Sequence, residues 1–236
     1  VGENEKFDLV GIWIDKSWKQ IRVDLGHRLK YSKLEVLFSD GGPGIEESLL
    51  DPGMRLQRCM WHGKRDFPYI LYADQLKKAQ QEPFKTKLKS IPTMNLTQAD
   101  LERLSVEDFE KVEQLAEKTK QGFTELIEAL PEDKYPKARE YIKNLSKEVT
   151  TFFDFWFENG VWIPLTTNAI ESAFSQVKNR IWAVGKRWSE SGLMNWLKVV
   201  VHKVFYPDSW DRLWATYLSL DSNLKIDLLE VCYQWV

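Results

Sequence analysis

Leu34-Glu-Val-Leu-Phe-Ser-Asp-Gly-Gly-Pro-Gly44 is the stretch on which the fold class turns. Leu34–Phe38 is short, apolar and rich in β-branched and aromatic residues, and it stops at a run of turn formers, so it reads as a strand with Asp40 at its carboxyl end. Upstream, Trp18, Ile21, Leu25 and Leu29 recur every three or four residues. This spacing predicts an amphipathic helix over Ser17–Tyr31 with Ser17 as its cap. Before it, Phe7–Ile14 reads as another strand. Downstream come a short helix over Ile45–Leu50, the turn Asp51-Pro-Gly53 and a third, less apolar strand over Arg55–Cys59. Strands alternating with helices imply parallel pairing through crossover helices, an α/β arrangement.

Beyond His62 the strand signals fade. Gly63–Ser90, Thr97–Leu130 and Asp133–Gly160 read as helices separated by Ile91-Pro-Thr93 and Leu130-Pro-Glu132. Thr166–Ala183 has the strongest helical pattern, with Ile170, Phe174, Val177 and Ile181 in one apolar stripe beside Glu171, Ser175, Lys178 and Trp182. Two more helices are expected over Ser191–Phe205 and Asp208–Leu218. Most of the 11 tryptophans, including Trp13, Trp18, Trp156, Trp162, Trp182, Trp188 and Trp196, stand among apolar neighbours and are expected in the core.

Composition narrows the class. With 236 residues and 43% hydrophobic content the chain has enough apolar surface for a good core. No apolar run approaches the ~20 residues of a membrane span, and the charged start lacks a signal-peptide pattern. The expected location is intracellular, in the cytoplasm or nucleoid, with no membrane partner. Two cysteines, Cys59 and Cys232, make no disulfide framework. A net charge of −2 favours no polyanion by itself, but its distribution is uneven. Residues 55–91 carry nine Lys and Arg against three acids and 168–203 carry six against two, whereas 98–134 carry five against eleven. Such segregation can present a basic face to DNA with an acidic lobe turned away.

Four features carry chemistry. Asp40, at a strand's carboxyl end before glycines, has the place where open α/β sheets present functional side chains, although Asp-Gly is also an ordinary turn. Glu171 has capping-box spacing after Asn168. It also lies seven residues before Lys178, on the same helical face and near Arg180, and a metal-binding carboxylate beside a phosphate-binding cation suits phosphoryl transfer. Cys59 and His62 have metal-ligand spacing but supply half of a tetrahedral site, so zinc is not expected; a buried Cys59 and a hydrogen-bonded His62 are the plain alternative. Arg65, Lys178, Arg180, Lys186 and Arg187 are candidate phosphate contacts, each equally readable as a solvated charge.

Taken in order, Ser39-Asp40-Gly41, Gln57-Arg-Cys59-x-x-His62-x-x-Arg65 and Thr167-Asn-Ala-Ile-Glu171 with Lys178 resemble the Mutator-like transposases of mobile elements. The resemblance covers most of the chain. It implies an RNase H-like core, truncated at its N-terminus, over residues 1–62, an α-helical insertion over 63–164, and C-terminal core helices over 165–236. It also implies DNA strand cleavage and transfer by a DDE centre, in which three carboxylates hold two Mg²⁺ or Mn²⁺ ions. Asp40 matches the second aspartate, Glu171 the glutamate, and Cys59 with His62 the family's Cys-x-x-His motif. The element ends and target DNA would be partners, and an active form is expected to be a homo-oligomer. The family's first aspartate has no match before Asp40. Asp8 and Asp24 do not fit, and Asp15, two strand steps away, would fall on the order of 10 Å from the needed place. The first two strands of the core are therefore expected upstream of Val1. A catalytically inactive remnant that binds DNA or its own subunits is the alternative, and a helical scaffold with Asp40 as a turn residue and Glu171 as a cap is a third reading.

Overall fold

The computed structural model describes residues 10–104, 108–184 and 188–217. They form two compact units, Val1–Ala169 and Ile170–Val236. The fold is mostly helical with a small parallel sheet, compatible with the α/β class.

In the first unit, α1 (Trp18–Arg28) starts at a capping box in which Ser17 Oγ accepts from the Gln20 N–H and the Gln20 side chain accepts from the Ser17 N–H. Two otherwise unpaired donors are satisfied in this way. Strand β1 (Val36–Ser39) runs parallel to β2 (Arg55–Arg58), in a register that pairs Val36 with Arg55 and Ser39 with Arg58. The crossover between them is α2 (Ile45–Leu49), entered through Gly44 at φ +78°. Arg22 packs 3.4 Å above the Tyr31 ring and pairs with Asp51 at 2.7 Å, while the Tyr31 hydroxyl donates to the Leu49 carbonyl. These contacts tie α1 to the crossover.

The expected first strand does not form over its described part. Residues 7–9 lie outside the described residues, and 10–14 have no ladder partner there. Side chains hold them instead: Arg28 donates to the Val10 carbonyl at 2.9 Å, and the Trp13 indole donates to Asp24 at 2.9 Å. Asp15 then turns the chain at φ +50°.

The long helical region comprises α3 (Met60–Ala73), α4 (Lys78–Ser90), α5 (Gln98–Glu102), α6 (Phe109–Glu128), α7 (Pro136–Glu148) and α8 (Thr151–Asn159). Helix α3 begins three residues before the expected Gly63. Proline sets the start of α7, and Gly160 at φ +69° ends α8 in the left-handed conformation that glycine adopts without strain. The core is built from their inner faces, with Phe67, Leu71, Leu126, Ile142, Leu145 and Phe152 almost wholly buried. Trp156 and Trp162 stack there at 4.9 Å, as expected of core tryptophans, whereas Trp18 is partly exposed. Where α7 passes α3, a Cβ on Gly63 would come within 2.6 Å of Leu145 Cδ1. The helical layer grips β2 through Gln57: its amide accepts from the Phe152 N–H at 2.9 Å and donates to the Val149 carbonyl at 3.4 Å. Thr151 Oγ1 also donates to the Leu56 carbonyl at 2.6 Å.

Helix α9 (Asn168–Val184) begins in the first unit and continues into the second, which also contains α10 (Glu190–Phe205) and α11 (Pro207–Tyr217). Val177, Leu197 and Val200 are buried, and Trp188 stacks on Trp196 at 6.1 Å. The apolar stripe expected on α9 is only partly inward: Ile170 and Phe174 are exposed. Three-residue spacing sets a face but does not ensure that another element covers it. The Trp182 side chain falls outside the described set.

Candidate functional site

Asp40 follows directly on the last residue of β1, so the strand carries its carboxylate to the sheet's carboxyl end. The loop there is held at several points. Ser39 is buried, and its Oγ accepts from the Gly41 N–H at 2.8 Å; Asp40 Oδ1 accepts from the Gly42 N–H at 3.0 Å. Gly41 has φ +84°, and a Cβ on it would lie 1.8 Å from Arg58 Cζ. The loop thus has room for the Arg58 guanidinium only because residue 41 lacks a side chain. Asp40 is exposed, and among the described residues no hydrogen bond engages its Oδ2.

Arg58 lies beneath this loop with its side chain only 12% exposed. Three carboxylates surround it: Glu148 at 3.6 Å, Glu46 at 3.8 Å and Asp66 at 3.9 Å. Its buried Nε has no hydrogen-bond partner among the described residues. Arg65 also pairs with Asp66, at 2.9 Å, so two cations face three carboxylates in a partly buried cluster. Burial, followed by the charge of Glu46, raises the carboxyl of Glu148 above its ordinary value, while Arg58 pulls it back. Tyr141 donates to the Gly63 carbonyl at 3.0 Å, and burial is the main reason its hydroxyl is pushed up to about 12.

On the adjoining strand, the Cys59 N–H donates to the Ser39 carbonyl at 2.8 Å and continues the ladder. Cys59 is fully buried, and His62 is buried in the first turn of α3. Both meet Thr167, whose N–H and Oγ1 approach Cys59 Sγ at 3.4 Å and whose Oγ1 lies 3.4 Å from His62 Nδ1. A threonine hydroxyl has one proton and two acceptor lone pairs, so it can give its proton to sulfur while accepting one from His62 Nδ1. The Met60 N–H to Leu165 carbonyl bond, at 3.2 Å, secures the same junction. The Cys-x-x-His pair thus anchors the residues leading into α9.

Asp40, Cys59, His62 and Arg65 all lie at the β1 and β2 carboxyl ends or in the first turns of α3. Arg65 donates to Asp66 at 2.9 Å. Glu171 and Lys178 are exposed residues of α9 in the second unit, which also holds Arg180. Lys186 and Arg187 lie outside the described residues. The sequence reading gave no role to Arg58 or Thr167, since only the folded chain brings them to Gly41 and to Cys59. The one signal for Arg58 was its position between two motif residues, Gln57 and Cys59.

Compared with known families, residues 8–211 match the family described as Transposase, Mutator family. The chain belongs to that family. No curated protein and no solved structure matches it. DNA is therefore the partner that membership implies for this transposase. Among the described residues no helix is long and apolar enough to cross a membrane.

Proposed function

We propose that this transposase acts on DNA through an RNase H-like DDE centre to which the chain contributes Asp40 and Glu171 as ligands for Mg²⁺ or Mn²⁺. The observation that carries the reading is Asp40 itself: an exposed carboxylate at a strand's carboxyl end, on a loop held by Ser39, Gly42 and Arg58, with Oδ2 unengaged by any hydrogen bond among the described residues. Carboxylate oxygens are the donors that hard divalent cations take, so the donor chemistry fits. Bound divalent ions would supply charge neutralisation at the scissile phosphate and activation of the attacking oxygen. The chain's own contribution is to hold Asp40 still, since positioning and electrostatics dominate phosphoryl transfer. Glu171 enters through its match to the family's glutamate. Arg65, Lys178, Arg180, Lys186 and Arg187 would neutralise DNA phosphates and fix register. Zinc has no part in this reading.

The test is divalent-ion-dependent nicking of supercoiled DNA by the full chain beside Asp40→Asn and Glu171→Gln, with circular dichroism to show an unchanged fold. Nicking by the parent that both variants lose is the expected result. A folded parent that never nicks, yet binds DNA without metal and releases it steeply with salt, would replace this reading with that of an inactive DNA-binding remnant.

A further inference from the structure

Among the described residues, one face of α3 presents large aromatic side chains to solvent. The inner side carries Met60, Phe67 and Leu71, all buried in the core. The outer side carries Trp61 at 49%, Tyr69 at 71% and Tyr72 at 73% exposure, with the exposed Arg65 between them. Steps of four, four and three residues at ~100° each keep all four side chains within about 80° of one another, along roughly 16 Å of helix. Three large aromatics on one outer face are a costly surface unless something covers them.

The chemistry of the face selects its partner. The Arg65 guanidinium lies 5.4 Å from the Trp61 ring centroid, a cation and an aromatic plane presented together. Lys137 donates to the Ala73 carbonyl at 3.3 Å, which places a second cation at the far end of the helix. The near end borders the Asp40 loop: α3 starts at Met60, two residues after Arg58, which pairs in register with Ser39 beside Asp40. Flat rings with cations between and beyond them suit a polyanion with flat, uncovered faces. Bases inside a duplex have both faces covered by their neighbours, so a convex helix can stack only on bases that are unpaired.

We propose that the Trp61, Arg65, Tyr69 and Tyr72 face of α3 is a stacking platform for unpaired bases of DNA beside the phosphate addressed by Asp40. This rests on the reading of Asp40 given above for its place in the reaction, but not for the binding itself. Trp61, Tyr69 and Tyr72 receive bases, while Arg65 and Lys137 face the backbone between and after them.

The test measures anisotropy of labelled oligonucleotides with the full chain: a single strand, the same strand with abasic sites, and a blunt duplex. The proteins are the parent, Trp61→Ala, the double variant Tyr69→Ala/Tyr72→Ala, and Val23→Ala as an exposed apolar control on α1. Each lost stack is expected to weaken single-strand binding by about five- to a hundredfold. Duplex binding should hold, the abasic strand should bind weakly to every protein, and Val23→Ala should match the parent. Equal losses on duplex and single strand, unchanged single-strand binding in the variants, or no single-strand binding by the parent would each overturn the platform. So would a change of sedimentation in the variants without loss of single-strand binding, which would make the face a contact between copies. A platform that behaves as expected in a chain that does not nick would leave the stacking surface standing and remove the catalytic reading.

Discussion

Gly41 and Gly53 both have positive φ, at +84° and +96°, but their surroundings differ. A Cβ on Gly53 meets nothing within 4 Å, whereas one on Gly41 would occupy the Arg58 guanidinium. Gly53→Ala should therefore cost only the left-handed backbone strain, about 1 kcal/mol, while Gly41→Ala adds overpacking and should cost about 2–4 kcal/mol in urea unfolding. Nicking or metal binding at Asp40 should fall with Gly41→Ala and not with Gly53→Ala. Glu148 gives a pH signature. Its carboxyl, raised mainly by burial, binds a proton more tightly in the folded chain than in the unfolded one. Its contribution is therefore full below the ordinary carboxylate range and fades as pH rises through the raised value. Glu148→Gln should gain stability relative to the parent as pH rises out of the ordinary carboxylate range, as read by thermal melts over a pH series. Asp40 was singled out from sequence because a strand end followed by glycines is a local pattern. Arg58 was not, because its role depends on a register that pairs it with Ser39.

Helix starts were legible where the cap is local. Ser17 and Gln20 close the capping box of α1 within four residues, whereas α7 starts at Pro136, three residues after the expected Asp133. The rest of the α7 cap comes from far along the chain: Asp74, at the end of α3, accepts from the N–H groups of Lys137 at 3.3 Å and Ala138 at 2.7 Å. A carboxylate there meets both the free donors and the positive end of the helix. Asp74→Ala should cost about 1–2 kcal/mol in urea unfolding, and Asp74→Asn, with one acceptor oxygen in place of two, should recover only part of it. The strand expected over Phe7–Ile14 failed over residues 10–14 for a related reason. Apolar alternation proposes a strand, but a ladder partner makes one, and Arg28 takes the Val10 carbonyl instead.

At the level of the whole molecule, much of the basic excess of residues 55–91 is paired within the chain. Arg55 pairs with Glu158, Arg58 lies among three carboxylates, Lys85 pairs with Glu82, and Lys87 reaches Glu125 at 3.9 Å. Lys64 donates to the Met94 carbonyl, and burial lowers its pKa. Counting charges along the sequence therefore overstates what this region offers to DNA. Lys64→Ala should leave the salt dependence of DNA binding unchanged, whereas Lys178→Ala, on an exposed site of α9, should reduce the slope of log K against log salt by about one. Periodicity, turn residues and the ordered motifs around Asp40, Cys59, His62 and Glu171 were enough to reach the parallel strand pair, the helical succession and the Mutator family, because each is written in neighbouring residues. The Arg58 support under Gly41, the Thr167 anchor on Cys59 and His62, and the aromatic face of α3 were decided only by tertiary structure. Each depends on which distant side chains the fold brings together or leaves uncovered, and spacing along a chain does not encode that.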